Sequence, residues 1–392
     1  MTPQTKATRA LALYGAIASA IGVALTLVGA LVDLRQALFS YLVAWVFGFT
    51  IALGALAFSM ISYITHAKWL LPIRRLVEAI TVTIPLFALG FIPIALGART
   101  LYLWAQDPSH WDAHTAEQVH LKAAYLNLPF WRGRAIVVLT LWSVVAMLLR
   151  RWSLRFDQTR DPAFTSKRRA LSGAAAPLMA LTFTFACFDW TMSLDPTWTS
   201  NAYGFYMFGA GFLGAASVIA IIAHQARRIG AVPREVSASH FHAVGNVMLA
   251  MTVFWAYIAF VQLLLIWIAD LPEEVPWYAI RSHGSWGAVC VYLGVGHFVI
   301  PFMALLMRNL KRDPKALTYV AALLLVGHFV DMHWLIMPTL HPEGLRPHWL
   351  DLAALLAVSG AAVAFASHRY AAVPALPQNE PGFADSIRFE MS

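Results

Sequence analysis

The chain has 392 residues, 59% of them hydrophobic and only 12% charged, with a net charge of +8. That balance excludes an ordinary soluble domain and a disordered chain. The positive charge does not point to nucleic acid: the basic residues sit in short segments beside long apolar runs, where they serve membrane topology and anionic-lipid contact.

Ten apolar runs lie near 11–32, 41–64, 76–97, 133–149, 171–188, 202–223, 243–268, 284–307, 316–337 and 349–367. Each holds 17 or more residues, enough at about 1.5 Å rise per residue to span or nearly span a ~30 Å hydrocarbon core. The first follows Lys6 and Arg9 and begins like a signal peptide, but its 22 residues are too many for a signal-peptide core, so a retained span is expected. Lipid cannot satisfy open backbone groups, so the fold class is all-α: a polytopic membrane protein of ten transmembrane helices. The longest connection is the outer loop 99–131, whose stretch from Asp107 to about Ala124 reads as an amphipathic surface helix. An inner loop at 150–170 carries seven Lys and Arg and separates spans 1–4 from spans 5–10. Residues 1–373 then form one membrane domain, and the polar, Pro-containing segment 374–392 reads as an extended or disordered cytoplasmic tail.

Charge sets the orientation. Taken alternately from the N-terminus, the segments on one side hold two, three, seven, three, four and two Lys+Arg, 21 together. Those on the other side hold one, four, none, one and one, 7 together. Basic residues stay in the cytoplasm during insertion, so both termini are expected to be cytoplasmic. Trp104, Trp111, Trp198, Trp277 and Trp349 fall at outer span ends, as interface anchors do.

Polar groups inside spans need a partner or a task. His297 in span 8 and His328 in span 9 lie roughly 18–21 Å from the starts of their spans, near mid-depth. Asp331 follows His328 by three positions on the same face, which makes His328 its expected partner, with His297 in reach from span 8. His333 points elsewhere. Three readings stand: a helix–helix lock, a proton or quinone role, and a b-type haem held by His297 and His328. His242, four residues before Asn246 at the start of span 7, is either a proton entry or a polar helix start among headgroups. Glu78, just inside span 3, is expected to snorkel to Arg74, with an inward-facing stripe with Thr81 and Thr83 as the alternative. Asp189, between Phe188 and Trp190 at the outer end of span 5, either caps and anchors or titrates. His110, His114, Glu117 and His120 share one face of the loop helix. Without a closed ligand set they read as a docking face for an outer partner, and no metal is assigned. Cys187 and Cys290 lie in spans 5 and 8, with no haem-attachment or cluster-binding cysteine motif.

The segments YLNLPFWRGR (125–134), FDWTMSLDPTWTSNAYG (188–204), HFHAVGN (240–246) and HFVDMH (328–333) resemble the ActF-type membrane subunit of alternative complex III, a bacterial quinol:cytochrome c oxidoreductase. That subunit is similar to the NrfD and polysulfide-reductase membrane subunits. The resemblance runs from about span 2 to span 9. It implies the bacterial inner membrane and two four-helix bundles, spans 2–5 and 6–9, with spans 1 and 10 peripheral. It also implies no haem or cluster in this chain, with haem c and Fe–S clusters carried by partner subunits. The implied partners are an NrfD-like paralogue, an iron–sulfur subunit and a multihaem cytochrome c, and quinol binding is usually assigned to the paralogue.

The resulting expectation is a respiratory-complex subunit, not catalytic alone, supporting assembly and proton translocation. Glu78, Asp189, His242, His297, His328 and Asp331 are its relay candidates. The alternatives are a subunit that itself holds quinone or quinol, and a secondary transporter, which needs broken helices near the midplane in both halves. Pro85 and Pro93 in span 3 and Pro301 in span 8 bear on the last. Reporter fusions after Arg160 and Lys311 should read cytoplasmic and fusions near His114 and Glu274 external; two inverted reporters would overturn the ten-span topology.

Overall fold

The computed structural model describes residues 3–390 except 231, 233–235, 273 and 378, without the side chains of residues 3–5 and His110. The described residues contain no strand. Ten helical segments are long and apolar enough to cross a membrane: Lys6–Val32, Leu34–Ile64, Lys68–Leu96, Leu128–Thr159, Ala163–Leu194, Tyr203–Arg228, Ala238–Ala269, Gly284–Leu306, Pro314–Thr339 and Trp349–Ala371. We number them spans 1–10. The chain is a multi-pass membrane protein.

Several boundaries differ from the sequence reading, for reasons local to each. Spans 1 and 2 are separated by a single residue, Asp33, whose side chain accepts from the Gln36 backbone and caps span 2. The expected inner loop 150–170 is mostly helix, because span 4 continues to Thr159 and span 5 begins at Ala163. Charged residues are as compatible with a helix outside the hydrocarbon as inside a loop, so apolar runs underestimate such helices. Arg160, left-handed at φ 56°, makes the corner. Span 3 is a series: a 3₁₀ turn Lys68–Ile73, then helices Arg74–Thr81, Ile84–Gly90 and Ile92–Leu96. Pro85 and Pro93 each stand in the first turn of a new segment, where their missing N–H costs nothing. The loop helix runs over Ala113–Leu121, capped by Asp112, with Thr115 and Val119 buried and His114, Glu117 and His120 exposed.

Span 2 is the most enclosed helix, with 89% of its apolar window buried, and span 6 follows at 72%, against 17% for span 1. Span 2 packs on spans 3 and 5, span 3 on 4, and span 4 on 5; span 6 packs on 7 and 9, span 7 on 8, and span 8 on 9. The two sets meet where span 2 crosses span 6. A Cβ on Gly54 would collide with the Gly211 carbonyl, and one on Gly211 would lie 2.7 Å from the Thr50 carbonyl oxygen. Backbone touches backbone there, as small residues permit in membranes. Spans 1 and 10 lie along each other and against span 2.

The C-terminal segment is neither extended nor loose. It folds back under the bundle and forms a short helix, Phe383–Ile387. Glu380 Oε1 lies 2.7 Å from Arg74 Nη2 and 2.6 Å from Arg168 Nη1, and His240 Nε2 donates to the Ser386 carbonyl at 2.8 Å. The reason lies in spans 3 and 5, which bury two guanidinium groups that need a counter-ion. Burial raises the Glu380 carboxyl, but Arg74 and Arg168 outweigh it and hold it below the usual range. A depressed carboxyl contributes stability at neutral pH that is lost as pH falls through its folded value. Tail docking should therefore hold at pH 7 and weaken only as pH falls below the ordinary glutamate range. Glu380→Gln should release it at pH 7, at a cost of about 3–5 kcal/mol for leaving the buried Arg168 without a carboxylate. Proteinase K cleavage within 372–390 measures both; equal protection of wild type and Glu380→Gln would refute the counter-ion role.

Candidate functional site

Asp331 is completely buried in span 9. Its carboxylate accepts from the Tyr206 hydroxyl of span 6 and from Trp255 Nε1 of span 7 at 3.1 Å. This corrects the expected pairing with His328. Helical spacing puts His328 on the same face, but its ring turns to span 2, where Nε2 lies 3.0 Å from Thr50 Oγ1. The Thr50 hydroxyl hydrogen is committed to the Val46 carbonyl at 2.8 Å, which assigns the donor role to His328 Nε2. His297 meets Trp255 edge to face at 4.6 Å, and neither of its ring nitrogens has a hydrogen-bond partner. Its imidazole fills the notch over Gly327, where any Cβ would collide with Nδ1. The segment that carries it, Leu293–Val299, is a π-helix, a form that occurs frequently at functional sites.

Beside this cluster lies a cavity of about 620 Å³, walled by Tyr206, Trp255, Gln262, Trp277, Tyr278 and Phe298 among others. It opens sideways past Val253, Tyr257 and Phe260, which are exposed on the apolar flank of span 7. Its volume is that of a small-molecule site. Tyr206 and Trp255 both face the cavity and bond to Asp331, so the carboxylate stands one side chain behind the wall. No cation pairs with Asp331 among the described residues. Behind Trp277 stands Arg281, stacked on its ring at 3.7 Å and donating to the Trp277 and Leu335 carbonyls at 3.1 and 3.0 Å. Burial pushes its guanidinium down to about 10.

Asp189 joins two of the motifs noted in the sequence. Arg134 grips it with Nε to Oδ2 at 2.8 Å and Nη2 to Oδ1 at 2.7 Å, while lying over the rings of Tyr125 at 3.8 Å and Phe130 at 4.3 Å. Trp131 Nε1 donates to the Asp189 carbonyl at 2.8 Å. A bidentate pair of this kind fixes geometry as well as charge.

Glu78 does not snorkel. It is 3% exposed, held by Arg75 Nη1 at 2.5 Å and Ser153 Oγ at 2.6 Å, with Arg74 Nε farther at 3.6 Å. Arg75, three residues back, shares the Glu78 face as well as Arg74 does, and it also pairs with Asp157. Thr81 and Thr83 bond to carbonyls of their own helix and do not extend the carboxylate inward. His242 is buried near Lys311, whose ammonium is held by Asn246 at 2.7 Å, and its Nδ1 has no partner. His114, Glu117 and His120 belong to no group of three potential metal ligands among the described residues, and the His110 side chain lies outside them.

The structure thus gathers His297, His328 and Asp331 and leaves the other three candidates apart. Glu78 and Asp189 are held by Ser153 and Arg134, 19 residues and roughly 28 Å apart along span 4. Tyr206, Trp255 and Thr50 are not among the residues the sequence pattern singled out; an indole or phenol deep in a span also demands a partner, and that signal was available. Breaking the Arg134–Asp189 pair should cost about 3–5 kcal/mol. Arg134→Lys should fail to restore it, since an ammonium gives neither fork nor stack. Thermal denaturation of Asp189→Asn and Arg134→Lys in detergent measures this; unchanged midpoints would contradict it.

No family model and no curated protein matches the chain.

Proposed function

We propose that the chain is a membrane subunit of a quinol-oxidising respiratory complex and that it holds the quinol ring itself, in the cavity beside Asp331. One observation carries this: an aromatic-walled cavity open to the lipid flank, backed by a buried carboxylate whose ligands are all neutral. A prenylated quinol needs an apolar entrance for its tail, flat walls for its ring and a proton acceptor at its hydroxyl. Glu78 and Asp189 are locked to arginines and lose an ion pair on protonation. Asp331 has no such pair to lose.

Oxidation of a quinol to a quinone releases two protons and two electrons. A quinol hydroxyl seated against Tyr206 gives the first proton to the phenol oxygen as the phenol hydrogen passes to Asp331, and the second proton takes the same path once Asp331 has released the first. The electrons leave to a redox centre on a partner subunit, of the iron–sulfur or haem class implied by the sequence resemblance. His297, packed edge to face on Trp255, and His328, bonded to Thr50 of span 2, are the other titratable groups of this cluster. The exposed face of the Ala113–Leu121 helix is the docking side for an outer partner. The two rings of packed spans support the two-bundle arrangement. The transporter reading gains less: the broken span 3 and the π-helical span 8 are not corresponding members of the two sets.

The test is the intact complex in vesicles. Asp331→Asn should assemble normally and lose quinol oxidation by about 10²-fold, the typical worth of a positioned base. Ala256→Trp, on the cavity wall, should raise KM for quinol at unchanged assembly. Normal turnover with normal proton release in Asp331→Asn would reduce the cluster to a helix–helix lock.

A further inference from the structure

A second cavity, of about 720 Å³, lies between spans 3, 4 and 10 at the arginine-rich end of the bundle. Four arginines line it, Arg150, Arg151, Arg155 and Arg369, and no acidic residue does. The remaining wall is largely apolar, including Val82, Val144, Met147 and Phe365. Val144 and Met147 are also exposed on the flank of span 4. From Arg155 to Val144 span 4 descends 11 residues, roughly 16 Å, about half of a ~30 Å hydrocarbon core. The cavity therefore has cations at the headgroup level and an apolar trough reaching through one leaflet.

The charges around it do not balance. Arg74, Arg75, Arg150 and Arg168 are buried, and the acids among them are Glu78, Asp157 and Glu380. Each of the other three arginines pairs with at least one of these carboxylates. Arg150 pairs with none: it is 6% exposed, Nη2 donates to the Arg369 carbonyl at 2.7 Å, Nη1 reaches the Glu78 carbonyl at 3.4 Å, and Nε has no partner. A buried guanidinium satisfied only by carbonyls is expensive, and one anion in the cavity would cancel the excess. Arg151, Arg155 and Arg369 form no ion pair among the described residues.

We infer that this cavity binds the phosphodiester headgroup of an anionic diacyl phospholipid, with Arg150 as the buried counter-charge and an acyl chain laid along the Val144–Met147 trough. Free phosphate shares the headgroup chemistry, but the apolar trough gives it nothing to contact. Basic pockets between spans recognise anionic lipid headgroups by this combination of charge and depth. The inference is independent of the quinol reading, since neither cavity shares a lining residue with the other.

The experiment uses the full chain in a neutral detergent, with the thermal midpoint and lipid retention in native mass spectrometry as readouts. Dioleoylphosphatidylglycerol should raise the midpoint and remain bound, more so at low salt. Dioleoylphosphatidylcholine and inorganic phosphate should do neither. The double variant Arg151→Gln/Arg155→Gln, altered only at exposed positions, should keep the lipid-free midpoint and bind phosphatidylglycerol roughly ten-fold or more weakly. Equal effects of the two lipids on the wild-type chain would overturn the inference. So would an unchanged response of the double variant, or the full rise with inorganic phosphate alone. Should the double variant not fold, the wild-type lipid comparison at low and high salt still decides the matter.

Discussion

The close crossing of spans 2 and 6 is the constraint on which the rest depends. Gly54 and Gly211 remove the side chains that would hold the two backbones apart. In lipid there is no hydrophobic force to bring helices together, so contact distance itself sets the packing energy. The crossing also brings Thr50 and Ile51 of span 2 against Gly214 of span 6 and His328 of span 9. The bond from His328 to Thr50 then ties a helix of one half to a helix of the other. Without the approach at Gly211, that imidazole would face only apolar neighbours.

Three buried acids show how surroundings divide one chemistry into separate roles. Glu78 and Asp189 are each paired with guanidinium groups, and Glu78 also accepts from the Ser153 hydroxyl. They hold helices together much as covalent staples do in secreted proteins. Asp331 meets a phenol and an indole instead. Both donors belong to the wall of the aromatic cavity, so whatever enters that cavity touches the ligands of the carboxylate before the carboxylate itself. The geometry makes Asp331 sensitive to occupancy without making it accessible.

The number and placement of the spans were legible because twenty apolar residues in a row have few alternatives. The depth of His297, His328 and Asp331 was legible for the same reason: rise per residue converts sequence into distance. Their partners were not, since Tyr206 and Trp255 lie 125 and 76 residues from Asp331, and helical periodicity says nothing across that gap. Arg134 was in view as the last residue of the aromatic motif 125–134, but the bond to Asp189 depends on spans 4 and 5 packing in one register. The folded tail was illegible for a different reason. Its composition is that of a loose segment, and only the buried arginines it neutralises give it a place.

The π-helix of span 8 has a consequence for how this protein can change over generations. It amounts to one residue inserted into an α-helix, accommodated as a wider turn. Losing a single codon within Leu293–Val299 would let the segment relax to a regular helix. Every residue on one side of the loss would swing by about 100° relative to the other. The span would still cross the bilayer, shortened by only about 1.5 Å, and its apolar surface would still suit lipid. His297, however, would leave its notch over Gly327. A lineage could therefore abandon this histidine, or regain it, in one small genetic step that leaves the membrane architecture standing.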